Sequence, residues 1–154
     1  MDLYRVAKKA FATDLSGEGA RGAGGRWNPV GLPVVYTAEH SSLAALEIMA
    51  HFDRSCAPTG LQLATITIPD TATIYSPSQT ELPTDWDARP GRMSTVEFGR
   101  EWLERGETSV LKVPSIVTPY GKGWNFVLNP LHPELIGKIT VEAIDWDFDP
   151  RLYP

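Results

Sequence analysis

Glu47 is the residue of this sequence whose surroundings most strongly indicate chemistry. It lies in a run, residues 43–50, in which all the remaining residues are apolar. On a helix at about 100° per residue, Glu47 falls between Leu43 and Ala50, so its carboxylate is expected to be at least partly buried. Carboxylates in such positions are uncommon and are often functional. The alternative is a carboxylate at the edge of the helix that pairs with a surface base.

Two arginines are candidates for binding an anionic ligand. Arg26 follows two glycines in a segment, residues 16–29, that holds five glycines. Backbone amides freed by glycine, together with one guanidinium, can bind phosphate or carboxylate, although Arg26 could equally pair with an acidic loop residue. Arg5 interrupts a β-prone segment, which indicates either a wet cleft along one strand face or a solvated charge on an edge strand. The glycine spacing does not match the fingerprint of a Rossmann site.

Other candidate nucleophiles and ligands are weaker. Ser115 follows Pro114 between apolar residues, a setting more typical of a backbone-bonded serine than of a nucleophile. It lacks the Gly-x-Ser-x-Gly sequence of a serine-hydrolase elbow. The three histidines have no spacing typical of a catalytic triad, and Cys56 is the single cysteine. With neither a CxxC nor an HExxH motif, the sequence predicts no metal site and no internal disulfide.

The elements that must position these residues are mostly strands. The alternation of apolar and polar residues predicts a strand at 61–68, and β-prone residues, many of them β-branched or aromatic, predict strands at 3–7 and 33–38. Four short strands, separated by Pro and Gly, are predicted at 110–113, 115–118, 125–128 and 137–146. Helices are predicted at 43–52, capped by Ser41 or Ser42, and at 94–104, ending at Gly106. Residues 16–29 are interpreted as a loop, and 76–91 as an irregular connection anchored by Trp86. Because strands and helices do not alternate, we predict an α+β fold with a mixed or antiparallel sheet and a few flanking helices.

Length and charge limit the class of protein. A chain of 154 residues and 17.0 kDa fits one domain, here taken as residues 1–154. Its 14 Lys and Arg residues against 19 Asp and Glu residues give a net charge of −5, which disfavours direct binding of nucleic acid. No stretch is long and apolar enough to span a membrane, and the first residues do not resemble a signal peptide. A soluble, cytoplasmic protein is therefore expected.

Considered together, these segments resemble the RES domain family, which is named for an arginine, a glutamate and a serine. The resemblance rests on Tyr4–Arg5, residues 24–28, the strand with Tyr36, the helix with Glu47, and residues 113–115. It extends to Asn129–Pro130 and the closing residues 148–152, and so covers nearly the whole chain. The family implies a fold similar to that of ADP-ribosyltransferases. It also implies the toxin half of a bacterial type II toxin–antitoxin pair.

The resemblance assigns roles to five residues. Arg5 and Arg26 would grip a dinucleotide, Tyr36 would lie beside its nicotinamide, and Glu47 and Ser115 would be the family's glutamate and serine. Arg5 and Ser115 would then serve both binding and catalysis. In this interpretation NAD⁺ is the substrate rather than a cofactor, and the bond between nicotinamide and ribose is cleaved.

Several alternatives stay open. The acceptor of the ADP-ribosyl group could be water, phosphate or a protein, and the last would make the chain a protein ADP-ribosyltransferase. A catalytically idle nucleotide-binding or interaction module is the alternative from a different class. The implied partner is an Xre-like helix-turn-helix antitoxin, while the sequence leaves a homodimer open.

Overall fold

The computed structural model describes residues 1–52 and 58–152, and all strands of this part belong to one sheet. The strand order is β4-β5-β6-β2-β1-β3-β7, and every neighbouring pair is antiparallel except β4 and β5. The predicted α+β class with a mixed sheet is confirmed. Cys56 lies outside the described residues. The bounds are β1 Asp2–Lys8, α1 Glu18–Ala23, β2 Val35–Ala38, α2 Ser41–Met49, β3 Leu61–Thr67, β4 Ile74–Tyr75, α3 Met93–Arg105, β5 Val110–Pro114, β6 Trp124–Leu128 and β7 Thr140–Trp146.

Strand β1 lies inside the sheet, between β2 and β3. Its register pairs Tyr4 with Ala38 of β2 and Arg5 with Ala64 of β3. An interior strand has no open edge, so the edge-strand explanation of Arg5 is wrong. Arg5 must instead be accommodated on a face of the sheet.

Helix α2 packs against β1 and β2 through Leu43 and Ala44, both of which are buried together with Val6 and Ala38. These apolar contacts fix the helix on the sheet face and so determine where its one carboxylate, Glu47, is presented. The predicted cap is wrong. The residue before the helix is His40, with no side-chain capping bond, and Ser41 and Ser42 already belong to the helix.

Helix α3 comes close to the backbone that follows Arg26. A Cβ added to Gly99 would lie 1.8 Å from the carbonyl oxygen of Trp27, so only glycine permits this approach. Trp27, Trp86 and Trp102 are buried in the same apolar cluster, which confirms Trp86 as the anchor of the irregular connection. The C-terminus of α3 is closed by Gly106 at φ 59°, as predicted.

The structure corrects two further predictions. The glycine-rich segment contains helix α1, because Gly17 and Gly24, both with positive φ, bound a short helical turn instead of leaving the whole segment irregular. Residues 115–118 are not a strand. The Ser115 hydroxyl accepts a hydrogen bond from the Val117 N–H at 3.1 Å, which turns the chain away from the sheet directly after β5.

Candidate active site

A cleft of about 1000 Å³ opens between α2, the sheet and the segment that leads into α3. Arg5, Arg26, Tyr36 and Glu47 line it, although they come from β1, a loop, β2 and α2. Ser115 is fully buried behind the wall formed by Pro114 and Ile116. The structure thus brings together all five residues that the sequence predicted. Their roles toward a ligand stay predictions.

The carboxylate of Glu47 is held at one oxygen. The Ser115 hydroxyl donates to Oε1 at 2.7 Å, and the side-chain amide of Asn125 donates to the same oxygen at 2.5 Å. Within the two described ranges, Oε2 receives no hydrogen bond from the protein. Since Glu47 lines the cleft, Oε2 is the oxygen left for a bound molecule.

The hydroxyl of Tyr36 is fully used within the protein. It accepts from the backbone N–H of Trp27 at 2.9 Å and donates to Oδ1 of Asn28 at 2.8 Å. Burial raises the pKa of Tyr36 well above its usual value, and this effect outweighs the Trp27 N–H and the nearby Arg26 charge, which lower it. The phenol therefore stays neutral at physiological pH. Its ring, held at the hydroxyl, is available to the cleft as a rigid planar surface.

Asn28 completes this anchor. Its side-chain NH₂ nitrogen lies 3.0, 3.1 and 3.0 Å from the carbonyl oxygens of Ala20, Pro29 and Leu32, so its two N–H bonds are shared among three acceptors. The side chain is almost completely buried. It ties α1 and the following loop to the Tyr36 hydroxyl, so the wall of the cleft beside Arg26 is fixed by hydrogen bonds rather than by apolar packing alone.

Arg26 bridges two segments of the chain. Nη1 donates to the carbonyl oxygen of Trp86 at 2.8 Å and Nη2 to that of Ala88 at 3.0 Å. Burial lowers the pKa of Arg26, and the nearby charge of Glu47 opposes that shift. The guanidinium stays charged, because the pKa of an arginine starts so far above neutrality that this lowering does not remove the proton. It fixes the irregular connection at the rim of the cleft and adds positive charge opposite the carboxylate.

Arg5, the second arginine of the cleft, is held by the segment that follows β1. Its Nη2 lies 2.9, 2.6 and 2.8 Å from the carbonyl oxygens of Phe11, Ala12 and Asp14, which form the turn after β1. Its Nε is buried and has no hydrogen-bond partner among the described residues. Burial lowers the pKa of Arg5, whereas Asp14 raises it. The guanidinium is thus oriented by backbone carbonyls, which bind it through Nη2.

Two residues of the site were missed by sequence reasoning. Asn125 belongs to a predicted strand, and only its polarity inside an apolar run could have drawn attention to it. His51, which follows α2, also lines the cleft, although no chemistry was assigned to it. The first turn of α3 contributes Met93 and Val96 to the same surface.

The described residues hold neither a cluster of metal-binding side chains nor a helix that could span a membrane. Residues 1–52 and 58–152 contain no group of three or more His, Cys, Asp or Glu side chains arranged to bind a metal ion. In that same part of the chain, no helix has the length and apolar character required to cross a bilayer.

Comparison with known proteins gives the family of this chain. Residues 2–150 match the model of the RES domain, so the chain belongs to the RES domain family, and the resemblance seen in the sequence is confirmed. A "Prs ADP-ribosylating toxin" from Sphingobium sp. is 37% identical over 157 residues, which covers 97% of this chain and 95% of the relative. A "Toxin Res" from Photorhabdus laumondii is 37% identical over 154 residues, covering 99% and 97%.

A solved structure agrees with the fold. A chain of the M. tuberculosis MbcT–MbcA toxin–antitoxin complex superposes with a TM-score of 0.73 at 24% identity, covering 99% of this chain and 86% of that one. At that identity the likeness concerns the architecture. The seven-stranded mixed sheet with its flanking helices is therefore the fold that this neighbour shares.

Proposed function

We propose that this protein is the toxin of a toxin–antitoxin pair and that it cleaves the nicotinamide–ribose bond of NAD⁺. The observation that carries the proposal is the Glu47 carboxylate, which is held at Oε1 by two donors and has no hydrogen-bond partner at Oε2 among residues 1–52 and 58–152, in a cleft that also contains two arginines. Membership in the RES family and the toxin names of relatives support it.

The chemistry needs one carboxylate. As the glycosidic bond breaks, its electron pair goes to the ring nitrogen of nicotinamide, which leaves as a neutral molecule and needs no proton. Positive charge develops on the ribose, and a nearby carboxylate stabilises that oxocarbenium-like transition state. Oε2 of Glu47 is the atom suited to this role, either directly or through a ribose hydroxyl.

The rest of the cleft suits the rest of the dinucleotide. A volume of about 1000 Å³ is at the upper end of the range for small-molecule sites and accommodates an extended ligand. The guanidiniums of Arg5 and Arg26 complement a pyrophosphate, since each is a planar cation with several donors. The Tyr36 ring, fixed at its hydroxyl, offers a face on which cationic nicotinamide can stack.

The second candidate is transfer of ADP-ribose to a protein. The specific observation in its favour is the name of the Sphingobium relative, an ADP-ribosylating toxin. Both candidates break the same bond and differ only in the nucleophile that attacks the ribosyl carbon. Attack by water yields ADP-ribose, attack by phosphate yields ADP-ribose 1-phosphate, and attack by a protein side chain yields an ADP-ribosylated protein.

One experiment separates these outcomes. Purified protein, freed of any inhibitor, is incubated with NAD⁺ labelled in the adenylate phosphate, with and without inorganic phosphate and cell extract. We expect release of nicotinamide, with label in a small product for hydrolysis or phosphorolysis and label on protein for transfer. Folded Glu47→Gln protein is the matched control. If NAD⁺ binds tightly and nicotinamide is not released under any condition, the chain is an idle binding module and the proposal is wrong.

The partner is proposed to be an Xre-like antitoxin that covers the cleft. With a net charge of −5, this chain is poorly suited to a phosphate backbone, so DNA binding would be supplied by the partner's helix-turn-helix. A partner carboxylate could pair with the arginines that grip the pyrophosphate. Co-expression with the neighbouring gene product tests this. A stable complex that still consumes NAD⁺ at the rate of the free enzyme would rule out occlusion of the cleft.

A further inference from the structure

We infer that Asn125 is a positioning residue for Glu47 and that it acts together with Ser115. The inference rests on the proposed function, because it concerns the rate of NAD⁺ cleavage, which the Glu47 carboxylate promotes. Ser115 and Asn125 each donate a hydrogen bond to Oε1 of Glu47, and we call these two hydrogen bonds the clamp. The clamp restricts rotation of the carboxylate of Glu47, a residue that lines the cleft, and uses only Oε1.

The two donors come from adjoining strands. Asn125 lies in β6 and pairs with Val113 of β5, and Ser115 follows β5 directly. The N–H of Ser115 also donates to the carbonyl oxygen of Gly123, which holds the chain after β5 against the start of β6. The sheet therefore sets the spacing of the two donors. The carboxylate arrives from α2, a separate element.

The chemistry of the carboxylate determines the orientation of the Asn125 amide. Oε1 can only accept, so the NH₂ group of Asn125 must face Glu47. A flipped amide would place the Asn125 Oδ1 against Oε1, and two acceptors without a proton between them repel each other. The Asn125 Oδ1 is then directed away from Glu47. It is buried and has no partner among the described residues. A buried acceptor without a donor costs stability, so Asn125 is a poor choice for packing alone.

A clamp on one oxygen affects the rate more than the affinity. Arg5, Arg26 and Tyr36 are held by other partners, so loss of the Asn125 donor leaves the ligand-binding surfaces in place. The carboxylate retains Ser115 alone and can rotate about its terminal torsion. We therefore expect kcat to fall while KM changes little.

The test compares three variants for NAD⁺ consumption and thermal unfolding. Asn125→Ala should lower kcat by about tenfold to a hundredfold, the effect of losing a hydrogen bond to a charged group, with KM within about twofold. Asn125→Asp has almost the same shape but replaces the donor by a second carboxylate, so its kcat should fall further. Asn129→Ala removes an asparagine side chain beyond the end of β6 whose Oδ1 accepts from the Leu131 N–H, far from Glu47, and should retain both constants.

Thermal unfolding separates positioning from folding. Asn125→Ala removes an unpaired buried oxygen together with one hydrogen bond to Glu47, so the variant should still be fully folded at the temperature of the assay. A loss of activity that is explained by unfolding at that temperature, or a rise in KM with unchanged kcat, would overturn the inference. So would Asn125→Asp being as active as the wild type.

A measurement that needs no activity distinguishes this inference from the proposed function. The side-chain NH₂ resonances of Asn125, assigned by their absence in Asn125→Ala, should move clearly when Glu47→Gln removes the charge they contact. If the wild type does not consume NAD⁺ but these resonances respond, the proposed function fails and the clamp stands as a structural contact without the role in rate. If NAD⁺ is consumed and the resonances do not respond, the clamp is wrong and the proposed function stands.

Discussion

Gly25 lies so close to the phenol of Tyr36 that a Cβ added to it would be 2.5 Å from the hydroxyl oxygen. The same Cβ would lie 2.8 Å from Oδ1 of Asn28, the atom to which that hydroxyl donates. The glycine therefore permits the hydrogen bond that holds the aromatic wall of the cleft. Its role depends on space rather than on unusual backbone geometry, since its φ is not positive.

Gly25→Ala should displace the Tyr36 hydroxyl and weaken both the fold and the site. We expect a loss of about 1–3 kcal/mol in the free energy of unfolding, typical of overpacking, and weaker NAD⁺ binding. Chemical denaturation and calorimetry measure the two effects. Gly22→Ala is the matched control, because a Cβ there meets nothing within 4 Å and lies in α1, where alanine should stabilise by about 0.5–1 kcal/mol. Equal behaviour of the two variants would contradict the prediction.

Tyr36→Phe separates the anchor from the ring. The Trp27 N–H loses its acceptor and Asn28 Oδ1 loses its donor, both in a buried setting, so the protein should lose about 1–3 kcal/mol of stability. The aromatic face remains. NAD⁺ consumption, measured well below the Tm of the variant, should therefore fall much less for Tyr36→Phe than for Tyr36→Ala. Activities that fall equally would show that the hydroxyl, and not the face, is what the ligand needs.

Local pattern predicted the part of this fold that depends on alternation. The strands with Arg5, Tyr36 and Asn125 follow from period-two alternation or β-branched content, and α2 follows from an apolar run without Gly or Pro. The helix α1 could not be predicted in this way. It is a six-residue helix with two internal glycines, and it is held by a bond from Asn28 to the carbonyl oxygen of Ala20.

The candidate site shows the same division. Glu47 was identifiable because a carboxylate in an apolar helix contradicts its surroundings. Asn125 stands out less, because a single polar residue is common in a strand. Its importance comes from its hydrogen bond to Glu47, which lies 78 positions away in the sequence. Only the pairing of β6 with β2 and the packing of α2 on the sheet bring that contact about. No local signal encodes it.

Glu47→Gln should abolish most of the chemistry while retaining the fold. The amide keeps the shape of the side chain but loses the charge that stabilises the developing cation, an effect of about a hundredfold in rate. NAD⁺ affinity should change little, since the arginines and Tyr36 are unaltered. Nicotinamide release and calorimetry provide the two measurements. A folded variant that releases nicotinamide at the wild-type rate would eliminate Glu47 as the essential carboxylate.

Glu134 should make stability depend on pH far from the cleft. Its carboxylate accepts from the N–H and hydroxyl of Thr73, and these two hydrogen bonds are the main cause that lowers its pKa to about 2. A carboxyl with a lowered pKa stabilises the folded state above its unfolded pKa, ordinarily 4.5, and loses that contribution as pH falls toward 2. The Tm difference between wild type and Glu134→Gln should therefore be largest near neutral pH and should shrink as pH falls from about 4.5 to 2. Glu142→Gln, on the exposed side of β7, is the matched control for replacing a surface glutamate by glutamine.

The arginines of the cleft should differ from other arginines in their effect on NAD⁺. Arg26→Ala removes a cation from the cleft and both hydrogen bonds to the carbonyl oxygens of Trp86 and Ala88, so NAD⁺ binding should weaken and KM should rise. Arg26→Lys keeps the charge but cannot bridge the two carbonyls with a planar fork, and should recover only part of the affinity. Arg5→Ala should likewise weaken binding.

Arg21→Ala is the matched control for these variants, because Arg21 pairs with Glu18 on exposed α1 and does not line the cleft. Its affinity for NAD⁺, measured by calorimetry, should equal that of the wild type. Such surface pairs contribute little, so its stability should also change by less than about 1 kcal/mol. If the folded Arg5→Ala and Arg26→Ala variants bind NAD⁺ as tightly as the control, the prediction is wrong. The two guanidiniums would then have only a structural role, which is to donate hydrogen bonds to backbone carbonyls. The pyrophosphate would then have to be bound elsewhere in the cleft.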